Sequence, residues 1–215
     1  MRSRTLPAQL YHLAEAANWP SICRSGLLST KVLLDQAGLQ GTERERIERR
    51  QRLEHRVLPN GVQVRDQKPL PARSLATCLV GLTAPEWYEL INSQVFFWLD
   101  ADRLNRQRRA CEPRPQVVLV VDAQRLAARY AERMSLSRIT SGHARRRPAR
   151  RGRCTFVPYR LWIESGWSSE ADGLGIHPRT YSQRPAELTV AGEAKEVMSC
   201  VIEVHRLEPG ETFRP

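Results

Sequence analysis

Short apolar runs, separated by turn residues and charged stretches, divide this chain into alternating helices and strands. Gln9-Leu10-Tyr11-His12-Leu13 predicts a first strand. Asn18-Trp19-Pro20 then opens a helix, with Asn18 as cap and Pro20 in the first turn, and Gly26 ends it. A second helix starts at Ser29-Thr30 and stops at Gly38. Residues 42–56 are charged almost throughout, with only Ile47 and Leu53 apolar, which predicts a solvated, mobile helical insertion. Asn60-Gly61 sits between β-branched residues of 57–64 and predicts a hairpin. Helices are expected over 70–81 and 83–92, the second capped by Thr83 with Pro85 in its first turn. Val95-Phe96-Phe97-Trp98-Leu99 reads as a strand, 102–109 as a helix, 116–121 as the central strand and 123–133 as a helix. Residues 140–184 form a loop-rich basic segment, followed by strands over 186–190 and 200–207; 155–159 is a further strand candidate. Short strands with unlike connections predict an α+β fold and not a doubly wound sheet.

A chain of 215 residues, 41% hydrophobic and 27% charged, is expected to form a single domain over 1–215, with a core that needs no disulfide or structural metal. The longest apolar run, Val117-Val118-Leu119-Val120-Val121, has the length of a buried strand and falls far short of the roughly 18–20 residues that span a bilayer. The basic start is followed by no apolar signal segment, so a cytoplasmic protein without membrane contact is expected. The five cysteines are scattered, which argues against a disulfide framework and against Cys-x-x-Cys zinc sites. A net charge of +11, mostly from Arg, favours a polyanion partner or reflects an Arg-rich composition without one. Neither a Gly-x-Gly-x-x-Gly, a Walker loop, a His-Glu-x-x-His nor a nucleophile elbow occurs, which weakens the common phosphate-cradle and hydrolase explanations.

Three segments carry a resemblance. Tyr11-His12-Leu13-Ala14-Glu15-Ala16-Ala17-Asn18-Trp19-Pro20-Ser21-Ile22, ending in Gly26-Leu27-Leu28-Ser29, is similar to the opening of DarT-type DNA ADP-ribosyltransferases. Arg184-Pro185-Ala186-Glu187-Leu188-Thr189-Val190 looks like the strand that carries their catalytic Glu. Val95-Phe96-Phe97-Trp98-Leu99-Asp100 resembles the aromatic strand of the nicotinamide pocket. The resemblance implies an ADP-ribosyltransferase-like split mixed sheet with flanking helices and a long basic loop. It also implies NAD⁺ as co-substrate, no metal, and a bacterial toxin or defence effector with an antitoxin or immunity protein as partner. Residues 99–109 match the family poorly, and the Arg-His-Arg-Arg set of RNA 2′-phosphotransferases is not recognisable.

Carried onto this sequence, Glu187 is the catalytic carboxylate that stabilises the oxocarbenium-like centre formed when nicotinamide leaves. Arg65 is the second catalytic candidate, reaching the pyrophosphate or else pairing with Asp66 or another acid. His12, Leu13, Asn18 and Ser29 line the cofactor pocket, and Phe96, Phe97 or Trp98 stack on nicotinamide, although period-two alternation keeps them from all facing one side. The Arg run, with Arg145, Arg146, Arg147, Arg150, Arg151 and Arg153, draws in DNA or RNA, and Tyr159, Trp162, Trp167 and Tyr181 are candidate base-stacking aromatics. Two other readings stand beside transfer to nucleic acid. One is a non-catalytic nucleic-acid-binding protein on the same fold. The other is an NAD⁺ glycohydrolase or an RNA 2′-phosphotransferase-like enzyme.

Overall fold

A computed structural model describes residues 4–111, 113–145, 148–177 and 184–215. The first strand, β1 (Gln9–Glu15), runs two residues beyond its predicted end and passes through a 3-10 turn into helix α1 (Trp19–Ser25). Asn18 does not cap α1. Its side chain instead donates to Gln63 O at 2.9 Å and accepts from Gln63 N at 2.7 Å, tying the start of α1 to the hairpin. Gly26 ends α1 at φ 71° and ψ −159°, a region open essentially to glycine alone. Strand β2 (Leu27–Leu28) and helix α2 (Thr30–Gln36) follow, with Ser29 accepting from Val32 N at 3.4 Å as the helix cap.

The charged stretch 42–56 departs from its expectation. Helix α3 (Gly41–Glu48) covers only its first half, and two of its charged side chains are buried, Glu48 and Arg52. Arg52 donates to Ile47 O, Arg65 O at 2.8 Å and Asn92 Oδ1 at 3.0 Å, so its charge is surrounded by acceptors and not by water. Apolar Leu53, by contrast, is exposed. Strands β3 (Arg56–Val57) and β4 (Gln63–Val64) make the Asn60-Gly61 hairpin, whose Leu58, Val62 and Val64 pack on Leu34, Leu39 and Ile47.

Helix α4 (Ala72–Ala76) is shorter than the predicted 70–81, whereas α5 (Ala84–Asn92) has its predicted bounds and cap. Glu86 Oε2 accepts from the Thr83 backbone N–H and from its hydroxyl, both at 2.7 Å, which satisfies one donor at the helix start. Strand β5 (Gln94–Trp98), helix α6 (Ala101–Ala110), strand β6 (Gln116–Asp122), helix α7 (Ala123–Tyr130) and strand β7 (Met134–Ser137) follow. The segment expected to be loop holds strand β8 (Val157–Pro158) and two helices, α8 (Tyr159–Ser165) and α9 (Ser168–Leu174). The chain closes with β9 (Glu187–Ala191), β10 (Glu193–Ala194) and β11 (Val201–Leu207).

Seven strands form one sheet in the order β11-β6-β1-β5-β9-β7-β8. Every paired strand in it is antiparallel, so the expected mixed sheet is corrected; the parallel contact is a single bridge, Leu79 to Arg151. Between β1 and β5 one register pair is formed, Tyr11 with Trp98, while β1 pairs with β6 along its whole length and β5 with β9 along its whole length. The sheet is therefore two half-sheets that part beyond Tyr11 and Trp98. One face packs Leu10, Ala14, Phe97, Leu119 and Leu188 against α1, α7 and α8. The other is covered by α6 and Phe213 over Tyr11, Leu13 and Trp98, and by α4 and α5 beside Phe96. Among the described residues no helix is long and apolar enough to cross a membrane.

Candidate active site

Glu187 opens β9 and pairs with Trp98 of β5 on one side and Ser137 of β7 on the other. Antiparallel partners project to the same side of a sheet, so Glu187 shares the α6 side with Trp98 and Tyr11. It is 3% exposed. Ser141, itself buried, donates twice to one carboxylate oxygen: Oγ to Oε2 at 2.7 Å and the backbone N–H to Oε2 at 3.1 Å. Oε1 receives no hydrogen bond from the described residues. Burial pushes the carboxyl up to about 7, against the opposing pull of the Ser141 donors and of the Arg151 and Arg103 charges. A carboxyl balanced near neutral pH takes and returns a proton readily.

His12 lies one residue beyond the point where the half-sheets part. Its Nδ1 stands 2.8 Å from Phe96 O, and a carbonyl only accepts, so the proton is on Nδ1 and Nε2 keeps its lone pair. Burial lowers its pKa to about 4; the Phe96 carbonyl opposes this and the Arg65 charge adds to it. The imidazole is thus neutral at physiological pH and bridges the two half-sheets. Its register partner is Leu119 and its ring lies 5.7 Å from that of Phe97, so its side chain belongs to the face opposite Glu187. The expected pocket spanned by His12 and Glu187 is corrected accordingly. The two residues sit two strands apart, near one register row, on opposite faces of the sheet.

Protonating His12 on unfolding gives an acid-side signature. Its folded pKa is depressed below the ordinary value near 6.5, so stability present above pH 6.5 is lost as pH falls towards 4, by up to about 2–3 kcal/mol. In His12→Gln, an amide able to donate to Phe96 O, denaturant titrations between pH 7 and 4 are expected to show a shallower loss. An unchanged acid limb would rule out this origin.

The remaining candidates separate. Arg65 donates to Glu15 Oε1 at 2.8 Å, and Arg114 approaches the same carboxylate at 3.2 Å, so two guanidiniums share one buried acid. Arg65 Nη2 is buried and makes no hydrogen bond to the described residues. The Cys111 thiol at the end of α6 is raised by burial and senses Arg65, Glu15 and Arg114, which puts this cluster at the end of α6 remote from Arg103. Leu13 and Phe97 are core side chains, Phe97 wholly buried, so neither stacks on a ligand. Phe96 is half-buried against Phe156. Trp98 is buried and donates from Nε1 to Gln107 at 2.6 Å. Asn18 and Ser29 hold backbone, as hairpin tie and helix cap.

The Arg run divides as well. Arg145, Arg150 and Arg153 are exposed, while Arg146 and Arg147 lie outside the described residues. Arg151 is 2% exposed, which corrects its assignment to a nucleic-acid surface. Its backbone joins 78–80 through Arg151 N to Cys78 O at 2.9 Å and Val80 N to Arg151 O at 2.8 Å. Its guanidinium lies 5.7 Å above the Trp87 ring and donates to Ser141 O at 3.1 Å and to Ala149 O at 3.1 Å. The proposed base-stacking aromatics are corrected in the same way. Trp162 and Trp167 are buried in the main core with Tyr159 packed on it, and Tyr181 lies outside the described residues.

Sequence reasoning missed Ser141 and the buried role of Arg151. Neither belongs to a recognisable spacing. The only signal was Arg151-Gly152 itself: a Cβ on Gly152 would stand 2.5 Å from Val80 O, so the glycine lets this strand-like segment close on 78–80. Among the described residues, no group of three or more His, Cys, Asp or Glu is arranged to hold a metal ion. No curated protein matches the chain. A family model matches residues 8–201, nearly the whole length, and the chain therefore belongs to the family described as "Family of unknown function (DUF7002)".

Proposed function

We propose that this protein is an NAD⁺-dependent ADP-ribosyltransferase whose reactive carboxylate is Glu187 and whose acceptor is DNA or RNA. One observation carries the reading. The strands bearing His12, the aromatic run and Glu187 are adjacent in the order β1-β5-β9, and they meet in the row Tyr11–Trp98–Glu187 where the sheet opens. In this reading nicotinamide ribose reaches Glu187 from the α6 side once the packing over Trp98 opens, and Oε1, which accepts no hydrogen bond from the described residues, takes its hydroxyl edge. The C1′–N bond breaks with its electron pair leaving on nicotinamide, the acceptor forms the new bond to C1′, and its proton passes to Glu187. His12 lies on the opposite face and acts through the fold, holding β1 to β5 by its hydrogen bond to Phe96 O. Arg65 and Arg114 both pair with Glu15, and the Arg65 Nη2 that bonds none of the described residues suits a pyrophosphate oxygen.

The test is labelled NAD⁺ with DNA, RNA or total lysate, beside Glu187→Gln. Label transferred by the wild type and lost in the variant supports the reading. Nicotinamide release without transfer supports a glycohydrolase instead, and salt-sensitive nucleic-acid binding without turnover supports the non-catalytic alternative. A toxin or defence role is tested by expression toxicity that Glu187→Gln relieves. For the acceptor, Arg145→Gln/Arg150→Gln/Arg153→Gln is expected to flatten the dependence of log K on log salt by roughly 2–3, since each lost phosphate contact removes about one unit of slope. Equal slopes in the two proteins would remove these side chains from the interface.

A further inference from the structure

We propose that Ser141 is a positioning residue for Glu187: it fixes Oε2, leaves Oε1 to substrate, and is itself held from behind by Arg151 seated on Trp87. The inference rests on Glu187 being the reactive carboxylate, but its geometry stands without any assumed substrate. Two donors of one residue, the hydroxyl and the backbone N–H of Ser141, converge on the same oxygen. A carboxylate held by one oxygen keeps its plane and its second oxygen in a set direction, which is what attack at a fixed carbon requires. Ser141 lies in a connection, not in a helix or strand, so something must fix its backbone. Arg151 does this through Nη1 to Ser141 O at 3.1 Å, and it is immobilised in turn by its backbone bonds to Cys78 and Val80 and by the Trp87 ring. The fully buried guanidinium thus acts on the carboxylate through Ser141 as well as through its charge.

Other charged and titratable groups near Glu187 are Arg103 of α6, paired to Asp100, His143 in the same connection as Ser141, and Tyr11 on the same face of β1. None of these donates to Oε2 among the described residues, so removal of the Ser141 hydroxyl should be felt mainly by Glu187.

The experiment follows the Glu187 carboxyl carbon by NMR from pH 5 to 9, assigned by its absence in Glu187→Gln, in the wild type, Ser141→Ala and Ser141→Thr. Ser141→Ala is expected to raise the midpoint by about one unit, a roughly tenfold weaker ionisation, because a hydrogen bond to the charged form is lost. Ser141→Thr, which keeps the hydroxyl, should return it towards the wild-type value. With NAD⁺, Ser141→Ala should lower kcat with little change in KM, and the rise of kcat with pH should move up by the same amount as the midpoint. A midpoint unchanged in Ser141→Ala overturns the proposal. If Ser141→Ala does not fold, Ser141→Cys, a weaker donor of similar shape, replaces it with a smaller upward shift expected and the same overturning result. A shifted midpoint in a protein that turns over no NAD⁺ sinks the transferase reading while leaving the Ser141–Glu187 link intact.

Discussion

Glu187→Gln is expected to make the protein inactive and, above neutral pH, more stable. The two effects share one cause. Burial raises the folded-state pKa of Glu187 to about 7, well above the ordinary value near 4.3. The group therefore favours folding fully below pH 4, and that contribution is lost as pH rises through 7. By pH 8, holding an ionised carboxylate in this place costs up to about 3 kcal/mol. Glutamine keeps an oxygen for the two Ser141 donors and carries no charge, so it escapes the cost. Denaturant midpoints should lie closest at pH 4 and separate steadily towards pH 8, with the variant higher. Activity, in contrast, is expected to fall by at least about a hundredfold, the scale for removing a general base or a charge aimed at the reacting centre. A variant that is less stable at pH 8 would show that the carboxylate is compensated in the folded state and is not strained.

Gly26→Ala is expected to be the most damaging single methyl in the molecule for folding. At φ 71° and ψ −159°, Gly26 lies where side chains are excluded, at a cost of about 1–3 kcal/mol. A Cβ there would stand 2.4 Å from both Ala194 O and Lys195 O, and backbone cannot yield as a flexible side chain does. Relief requires β10 to move from β2, at a further roughly 1–3 kcal/mol. The sum is a large part of the 5–15 kcal/mol typical of a domain. Thermal or denaturant unfolding of Gly26→Ala measures it, with Gly38→Ala as the control. Gly38 also has a positive φ, but its Cβ would meet nothing within 4 Å, so only the conformational cost should appear there. Equal losses at the two positions would mean that the contact with β10 adds nothing.

Several elements were legible because their signals are local. The Thr83–Glu86 box and Pro85 mark the start of α5, the Asn60-Gly61 turn fixes a hairpin, and the β-branched run at 117–121 becomes buried strand β6. Helices α8 and α9 escaped for the complementary reason. Both are seven residues long and lie in a stretch whose basic run and glycines read as loop. Composition also misled where burial was decided at a distance. Trp162 and Trp167 look like surface stackers beside an Arg run, yet they fill the core under β7 and β9. Arg52 sits in a charged stretch that predicts solvent, yet Asn92 and two backbone carbonyls supply what water would.

The candidate site divides along the same line. By itself the sequence determined that His12 lies on an early strand, that an aromatic strand follows, and that Glu187 opens a late one, because period and turn residues act over a few positions. Only the tertiary structure decided that these strands are neighbours, that His12 and Glu187 face opposite sides, and that Arg151 belongs behind Ser141 and not on the surface. A strand's face depends on its register with partners about 90 residues away, and a buried charge depends on which distant acceptors close around it. The ionisation of Glu187 has the same origin: the carboxyl is a chemical given of the chain, and its position near neutral pH comes from burial and the two donors of Ser141.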